Sequence, residues 1–272
     1  MNALVGKELS IITHKAQTTR HRILGIVNGD NFQMVISDTP GVIKPSYAMQ
    51  TSMMNFVKEA LIDADVLLYM VTPEEKELKE TRFFDKIKNS KAPLYLLINK
   101  IDQVSQEVLE NSVIHWETLF PKAKVYPISA LTGFYIPELL KILIAELPLS
   151  PAYFPKDQLT DKPERFFFFF SIREQILAHY SKEIPYAVEV LTEAFLEDPK
   201  IIKIRSVILV ERETQKGIII GHKGSALKRV GIGARKSLQQ FFGKKIHLEI
   251  YVKVSKNWRS NSLQLKRFGY NN

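Results

Sequence analysis

Five short runs in this sequence carry side chains that could do chemistry. Asp38-Thr39-Pro40-Gly41 sets a carboxylate, able to hold a Mg²⁺-bound water, just ahead of a glycine N–H that can approach a terminal phosphate. In Asn99-Lys100-Ile101-Asp102, one carboxylate can accept from both N1–H and the exocyclic amine of guanine. Adenine has no 2-amino donor, so Asp102 would select the base by leaving a buried group unpaired with the wrong one. The Lys100 stem suits the face of a ring, and Asn99 suits a tie between neighbouring loops. Ser129-Ala130-Leu131 offers the Ala130 N–H to guanine O6. Thr18-Thr19-Arg20 offers a hydroxyl to Mg²⁺. Gly221-His222-Lys223-Gly224 is a G-x-x-G loop, whose glycines let a chain pass close to phosphates.

Each run has a plainer reading. D-x-x-G is a common turn, Asn and Asp suit a capped strand-to-helix turn, and G-x-x-G is usually just a turn. Position decides between the readings. Val66–Val71, Leu94–Ile98 and Val125–Ile128 are short apolar runs that read as buried strands. His21–Val27 and Phe32–Ile36 flank Asn28-Gly29-Asp30, which reads as a hairpin with glycine taking positive φ. Thr51–Ala64, Glu77–Asn89, Glu107–Leu119 and Ile136–Leu147 have helical periodicity. Strand and helix in alternation predict βαβ units and a mostly parallel sheet. The first three runs then fall at carboxyl ends of strands, where open α/β sheets bind ligands.

Charge separates the second half from the first. Residues 1–149 hold 16 Lys and Arg against 17 Asp and Glu, a net of −1, whereas residues 150–272 hold 22 against 12, a net of +10. Between Lys216 and Arg267 there are 13 bases and a single acid, Glu249. A solvated helix face normally mixes signs, so this run predicts a polyanion partner: nucleic acid first, an anionic membrane surface second. Lys228, Arg229, Arg235 and Lys236 follow the G-x-x-G loop on a predicted helix, Ser225–Phe242. Ile218-Ile219-Ile220 before the loop reads as an apolar strand. Tyr186–Phe195 and Ile201–Glu211 read as a strand hairpin, and Ile246–Val254 alternates cleanly, so this half is α+β. Pro148, Pro151, Pro155 and Pro163 mark a linker. Asp161 then offers an N-cap with Glu164 as its capping-box partner, opening a helix over Phe166–Ser181 whose phenylalanines read as core. The chain has no cysteine, which removes disulfides and thiolate metal sites and fits a reducing cytoplasm. No apolar run approaches the length of a membrane span.

The nucleotide motifs, with Ser10-Ile11-Ile12-Thr13 and Lys15 through Arg22, resemble the Era family of GTPases. The G-x-x-G context, Val252-Lys253-Val254, Asn257-Trp258-Arg259 and Phe268-Gly269-Tyr270 resemble that family's carboxyl-terminal KH domain, so the resemblance covers essentially the whole chain. It implies an α/β P-loop GTPase-like domain over 1–149, a linker over 150–164 and an α+β type II KH domain over 165–272. It implies GTP and GDP with Mg²⁺ as ligands. Asp38, Gly41, Asn99, Lys100, Asp102, Ser129 and Ala130 would hold the nucleotide, with Thr19 and, through water, Asp38 on the metal. Gly221, His222, Lys223, Gly224, Lys228, Arg229, Arg235 and Lys236 would hold RNA. The implied partners are the 3′ region of 16S rRNA and the 30S subunit during its assembly. The implied protein is a cytoplasmic monomer, with peripheral membrane association the lesser alternative. Trp258 reads either as a base-stacking residue or as interdomain packing.

The sequence departs from that family in one respect. No G-x-x-x-x-G-K-[ST] phosphate loop occurs; Gly6-Lys7 is followed by Glu8. Met1–Gly6 instead resembles the helix that follows such a loop, so Met1 is expected to be an internal methionine of a longer protein. Residues 1–272 alone are expected to bind GTP weakly, with a gap where the central strand belongs. The alternative function is an RNA-binding scaffold without nucleotide chemistry. Val42 and Ile43 stand where related enzymes carry a water-positioning glutamine, so no catalytic residue is assigned.

Overall fold

The computed structural model describes residues 1–77 and 81–270. The chain forms two compact units, each discontinuous in sequence. The first comprises Met1–Ser10, Arg22–Pro45 and Met54–Asp161; the second comprises Ile11–His21, Ser46–Met53 and Lys162–Asn272. The segment expected as a linker thus packs largely with the first unit. Residues 11–21, which carry the candidate metal ligand Thr19, pack with the second.

In the first unit, a short helix α1 (Asn2–Val5) precedes an antiparallel hairpin of β1 (Ile23–Asn28) and β2 (Gln33–Asp38). The hairpin forms as expected, but its turn does not use left-handed glycine. Gly29 lies outside the positive-φ residues, and a Cβ there would come within 2.1 Å of the Phe32 ring. Close approach to the Phe32 ring, not backbone handedness, favours glycine there, since a larger residue would have to displace that ring. Helix α2 (Ala48–Asp63) leads to β3 (Leu67–Val71), followed by α3 (Thr81–Lys88), β4 (Leu94–Ile98), α4 (Gln106–Leu119), β5 (Lys124–Pro127) and α5 (Ile136–Ala145). The expected start of α3 reaches residues 78–80, outside the described residues.

β4 shows why this unit folds. Tyr95 and Leu97 face one side with Ile128, Leu139 and Leu143, and Leu96 and Ile98 face the other with Val71, Trp116 and Phe120. These four of the five β4 residues are fully buried. The period of two sends alternate side chains to opposite helical layers.

The sheet is not continuous. β3, β4 and β5 form a parallel sheet in that order, and β1–β2 form a separate one. β2 and β3 are both edge strands, and between them lies a cavity of about 860 Å³ lined by Met34, Ile36, Val66, Leu68, Leu61 and Leu143 among others. Met34 nevertheless shares a core cluster with Tyr95 and Leu97, so the α5 layer spans both sheets. The gap expected from the sequence is present, bounded by strands on two sides and by α2 and α5 on the others.

In the second unit, α6 (Glu164–His179) is followed by β6 (Glu189–Glu197), β7 (Ile201–Val210), α7 (Glu213–Ile220), α8 (Ser225–Phe242), β8 (Lys245–Val254) and α9 (Ser262–Arg267). β7 is central, antiparallel to β6 and parallel to β8; the α7–α8 pair makes the crossover a parallel neighbour requires. Ile172, Ile176, Val230 and Ala234 pack on Val190, Ile208 and Val210. Phe168 joins Ile202, Ile204 and Leu238 in a second cluster, which supports the core reading of the phenylalanine run.

Three local expectations are corrected. Ile218–Ile220 belong to helix α7 rather than a strand; Gln215 accepts from the Glu211 and Arg212 N–H groups, tying down the start of the helix. Asp161 does not cap α6, whose N-cap is Pro163. Its carboxylate accepts from the Leu24 N–H instead, at 2.9 Å. Trp258 is fully buried, donating to the Ala187 carbonyl at 3.3 Å and packing edge-on to Phe268. It is core of the second unit, unavailable to a base.

Candidate functional site

The two motifs expected to select guanine converge at the carboxyl ends of β4 and β5. β4 ends at Ile98, and the Asn99 N–H donates to the Val71 carbonyl at 2.8 Å, anchoring the loop across to β3. Lys100 takes a left-handed conformation, φ 69°, which swings Ile101–Gln103 into a single 3₁₀ turn. The Asn99 side-chain oxygen accepts from the Ala130 N–H at 3.0 Å, and Ser129 Oγ donates to Asp102 Oδ1 at 2.5 Å. Ser129 is almost fully buried, while Asp102 and Ala130 are exposed. A buried hydroxyl therefore holds one oxygen of an exposed carboxylate, leaving the other for a ligand. Asn99 acts as the tie between loops that its position predicted.

The phosphate-side residues are more dispersed. Asp38 ends β2, with Oδ2 accepting from Ser10 Oγ at 2.6 Å, a partner that sequence reasoning missed. Gly41 is exposed, and a Cβ there would meet nothing within 4 Å. Thr19 belongs to the second unit. Its neighbour Arg20 was read only as part of a polar run, but it is buried, donating to the carbonyls of Val188 at 2.6 Å and Pro185 at 2.9 Å and pairing with Glu189 at 3.3 Å. Tyr270 also donates to Glu189, at 2.9 Å. Burial works to lower the Arg20 pKa, but Tyr270, Glu189 and Tyr47 outweigh it and raise it. Burial, helped by Arg20, pushes the nearby Arg173 down to about 9. The signal available in sequence was Glu189 inside the apolar run Ala187–Val190, since an acid there needs a buried partner.

The basic residues gather around one loop. Gly221 and Gly224 have φ of 71° and 77°, a region that favours glycine, and a Cβ on Gly221 would come within 2.6 Å of Ala226. α7 and α8 flank the loop, so the setting is helix–loop–helix. Gly224 is the N-cap of the 18-residue α8, whose unpaired N–H groups add partial positive charge. His222, Lys223, Lys228, Arg229, Arg235 and Lys236 are all exposed. The outer face of β6–β8 differs: Lys253 pairs with Glu193, Lys244 with Glu197, and Arg205 with Glu249. Hydrogen bonds from His247, Tyr251 and Arg205 hold the Glu249 carboxyl down at about 2. Cationic charge is thus neutralised on the sheet and left open beside the G-x-x-G loop.

Residues 1–100 match the 50S ribosome-binding GTPase family, and residues 183–259 match the KH domain family. The chain is 42% identical over 274 residues to GTPase Era of Syntrophus aciditrophicus (strain SB), covering all of this chain and 90% of that protein. The chain belongs to the Era family of GTPases. A crystal structure of Era in complex with MgGDPNP and nucleotides 1506–1542 of 16S ribosomal RNA superposes with a TM-score of 0.95 at 34% identity, covering 100% of this chain and 93% of that one. A substituted Aquifex aeolicus Era bound to GDP and AlF4⁻ gives 0.94, also at 34% identity and with the same coverage. An Era GTPase domain followed by a KH domain is the architecture observed here, and guanine nucleotide with Mg²⁺ is the family's ligand. At the candidate base end, Ser129 holds one oxygen of Asp102 and leaves the other open, while the Ala130 N–H expected to meet guanine O6 is given to Asn99 instead. Of the candidate phosphate-end residues, Asp38 and Gly41 lie in and just after β2, with no glycine-rich loop beside them among the described residues. No helix among the described residues is long and apolar enough to cross a membrane.

Proposed function

We propose that this chain binds guanine nucleotide through Asn99, Lys100, Asp102, Ser129 and Ala130, with Asp38 and Gly41 toward the phosphates. Thr19 and, through water, Asp38 are the residues that would hold Mg²⁺. The nucleotide supplies a phosphoanhydride bond for hydrolysis, and this chain's own residues select the base and orient the metal end. RNA is clamped at Gly221, His222, Lys223 and Gly224, with Lys228, Arg229, Arg235 and Lys236 along the strand. The RNA is the 3′ region of 16S rRNA, and the setting is small-subunit assembly in the cytoplasm, with the protein acting as a monomer.

The observation that carries this reading is the Ser129–Asp102 bond, which fixes one carboxylate oxygen and leaves the other as acceptor for a guanine edge; the Ala130 N–H is held by Asn99 and would exchange that partner for guanine O6. Asp102→Asn tests it. An amide in place of the carboxylate presents a donor where guanine also has one, while xanthine has a carbonyl there. Competition against a fluorescent GTP analogue is expected to show GTP weakened by about 100-fold or more and XTP gaining, as expected when a polar group is left unpaired. An Asp102→Asn chain that keeps its preference for GTP would remove Asp102 from the base site.

A second reading, an RNA-binding scaffold without nucleotide chemistry, draws support from the cavity between β2 and β3. Under it, the unsubstituted chain shows no saturable GTP binding while its RNA affinity persists.

A further inference from the structure

The segment Ile11–His21 is fastened to the second unit by a series of side-chain bonds. Lys15 Nζ donates to the carbonyls of Leu177 and Tyr180, at the end of α6. Arg173 donates to the Gln17 carbonyl at 3.2 Å. Arg20 reaches Pro185, Val188 and Glu189. His21 Nε2 meets the Phe268 carbonyl at 3.0 Å, so that nitrogen carries the proton, and the ring lies 4.4 Å from that of Tyr270. Thr19 lies within this fastened stretch.

One of these anchors has a second connection. Tyr180, whose carbonyl holds Lys15, donates its hydroxyl to the Ile219 carbonyl at 2.7 Å. Ile219 lies in the last turn of α7, two residues before Gly221, and is fully buried. A carbonyl in the last turn of a helix lacks an intrahelical donor, so the Tyr180 hydroxyl meets a real need there. Tyr180 is itself buried in the core cluster with Ile219 and Val230. The G-x-x-G loop and the threonine-bearing segment are therefore two bonds apart through a single buried residue, whose carbonyl holds Lys15 and whose hydroxyl holds Ile219, and which has little room to move.

We propose that Tyr180 couples the two ligand sites: RNA clamped at Gly221–Gly224 fixes the end of α7, and through Tyr180 and Lys15 fixes the segment that presents Thr19. The inference rests on the RNA and metal roles given above and adds the residue that links them. Tyr180 is a positioning residue that touches neither ligand. By thermodynamic reciprocity, whatever holds the segment at its metal end also changes RNA affinity by the same factor.

Amide exchange on the full chain, with and without a single-stranded oligoribonucleotide matching the 3′ end of 16S rRNA, tests this. RNA is expected to slow exchange across residues 11–21 by about 5-fold or more, the lower end of ordinary coupling. In Tyr180→Phe, RNA should bind within about twofold of the original affinity, while its effect on residues 11–21 falls below about twofold. The double variant His222→Asp, Lys223→Asp should lose both RNA binding and the effect. Equal protection of residues 11–21 in Tyr180→Phe overturns the proposal, and so does bound RNA that leaves residues 11–21 unchanged in the original chain. If exchange in β7 rises without RNA, showing that Tyr180→Phe has loosened the fold, Lys15→Met decides by the same comparison. Failure of the original chain to bind RNA sinks the proposed RNA role and this inference with it; intact binding without a change at residues 11–21 sinks only the inference.

Discussion

The two units contain similar materials and end in different states. In the second, every strand of a three-stranded sheet is paired around central β7, and two helices cover one face with phenylalanine, isoleucine and leucine. In the first, β4 is as deeply buried as any strand in the molecule, yet the sheet stops at β3 and resumes at β2 across a cavity. Apolar side chains alone do not close a sheet. A strand must also fill the hydrogen-bonding row between its neighbours, and none among the described residues does so between β2 and β3.

The contrast can be broken most directly by unfolding. The two tryptophans divide between the units, Trp116 in the first and Trp258 in the second, and both are fully buried. Single-tryptophan chains made by Trp258→Phe or Trp116→Phe should report separate urea transitions, the Trp116 signal moving first by about 4 kcal/mol or more, a large share of ordinary domain stability. Coincident transitions would mean that the cavity does not set the stability of the first unit.

A comparable effect is expected from Glu189→Ala. It leaves Arg20 buried without its carboxylate and removes the acceptor of Tyr270, and breaking one side of a buried pair costs about 3–5 kcal/mol. The loss should appear in the Trp258 transition and leave that of Trp116 in place; a loss shared by both would join the units energetically.

The smallest effect is a pH dependence confined to the second unit. Burial lowers the His21 pKa to about 4 from 6.5, against the pull of Glu189. Between those values the unfolded chain binds a proton that the folded chain refuses, so stability should fall as pH drops from 6.5 toward 4. His21→Gln should flatten that slope in the Trp258 transition. An unchanged slope would assign it to other groups.

Much of this was legible in the sequence because it is local. Asp102, Asn99 and Ser129 fall at strand ends defined by runs of a few apolar residues, and their short polar side chains reach only neighbouring loops. The missing phosphate loop predicted a break in the sheet, and the break is there. Misreadings came where partners are remote or composition misleads. Asp161 had a capping partner nearby but bonds to Leu24 instead. Three isoleucines in a row favour a strand by propensity, yet Gln215 ties down the helix start. The cluster of Arg20, Glu189 and Tyr270 joins three distant stretches of chain, so no window of sequence displays it.

The opening between β2 and β3 also bears on crowding. Two edge strands that face a gap among the described residues are templates for extended segments from outside, and such additions grow with concentration.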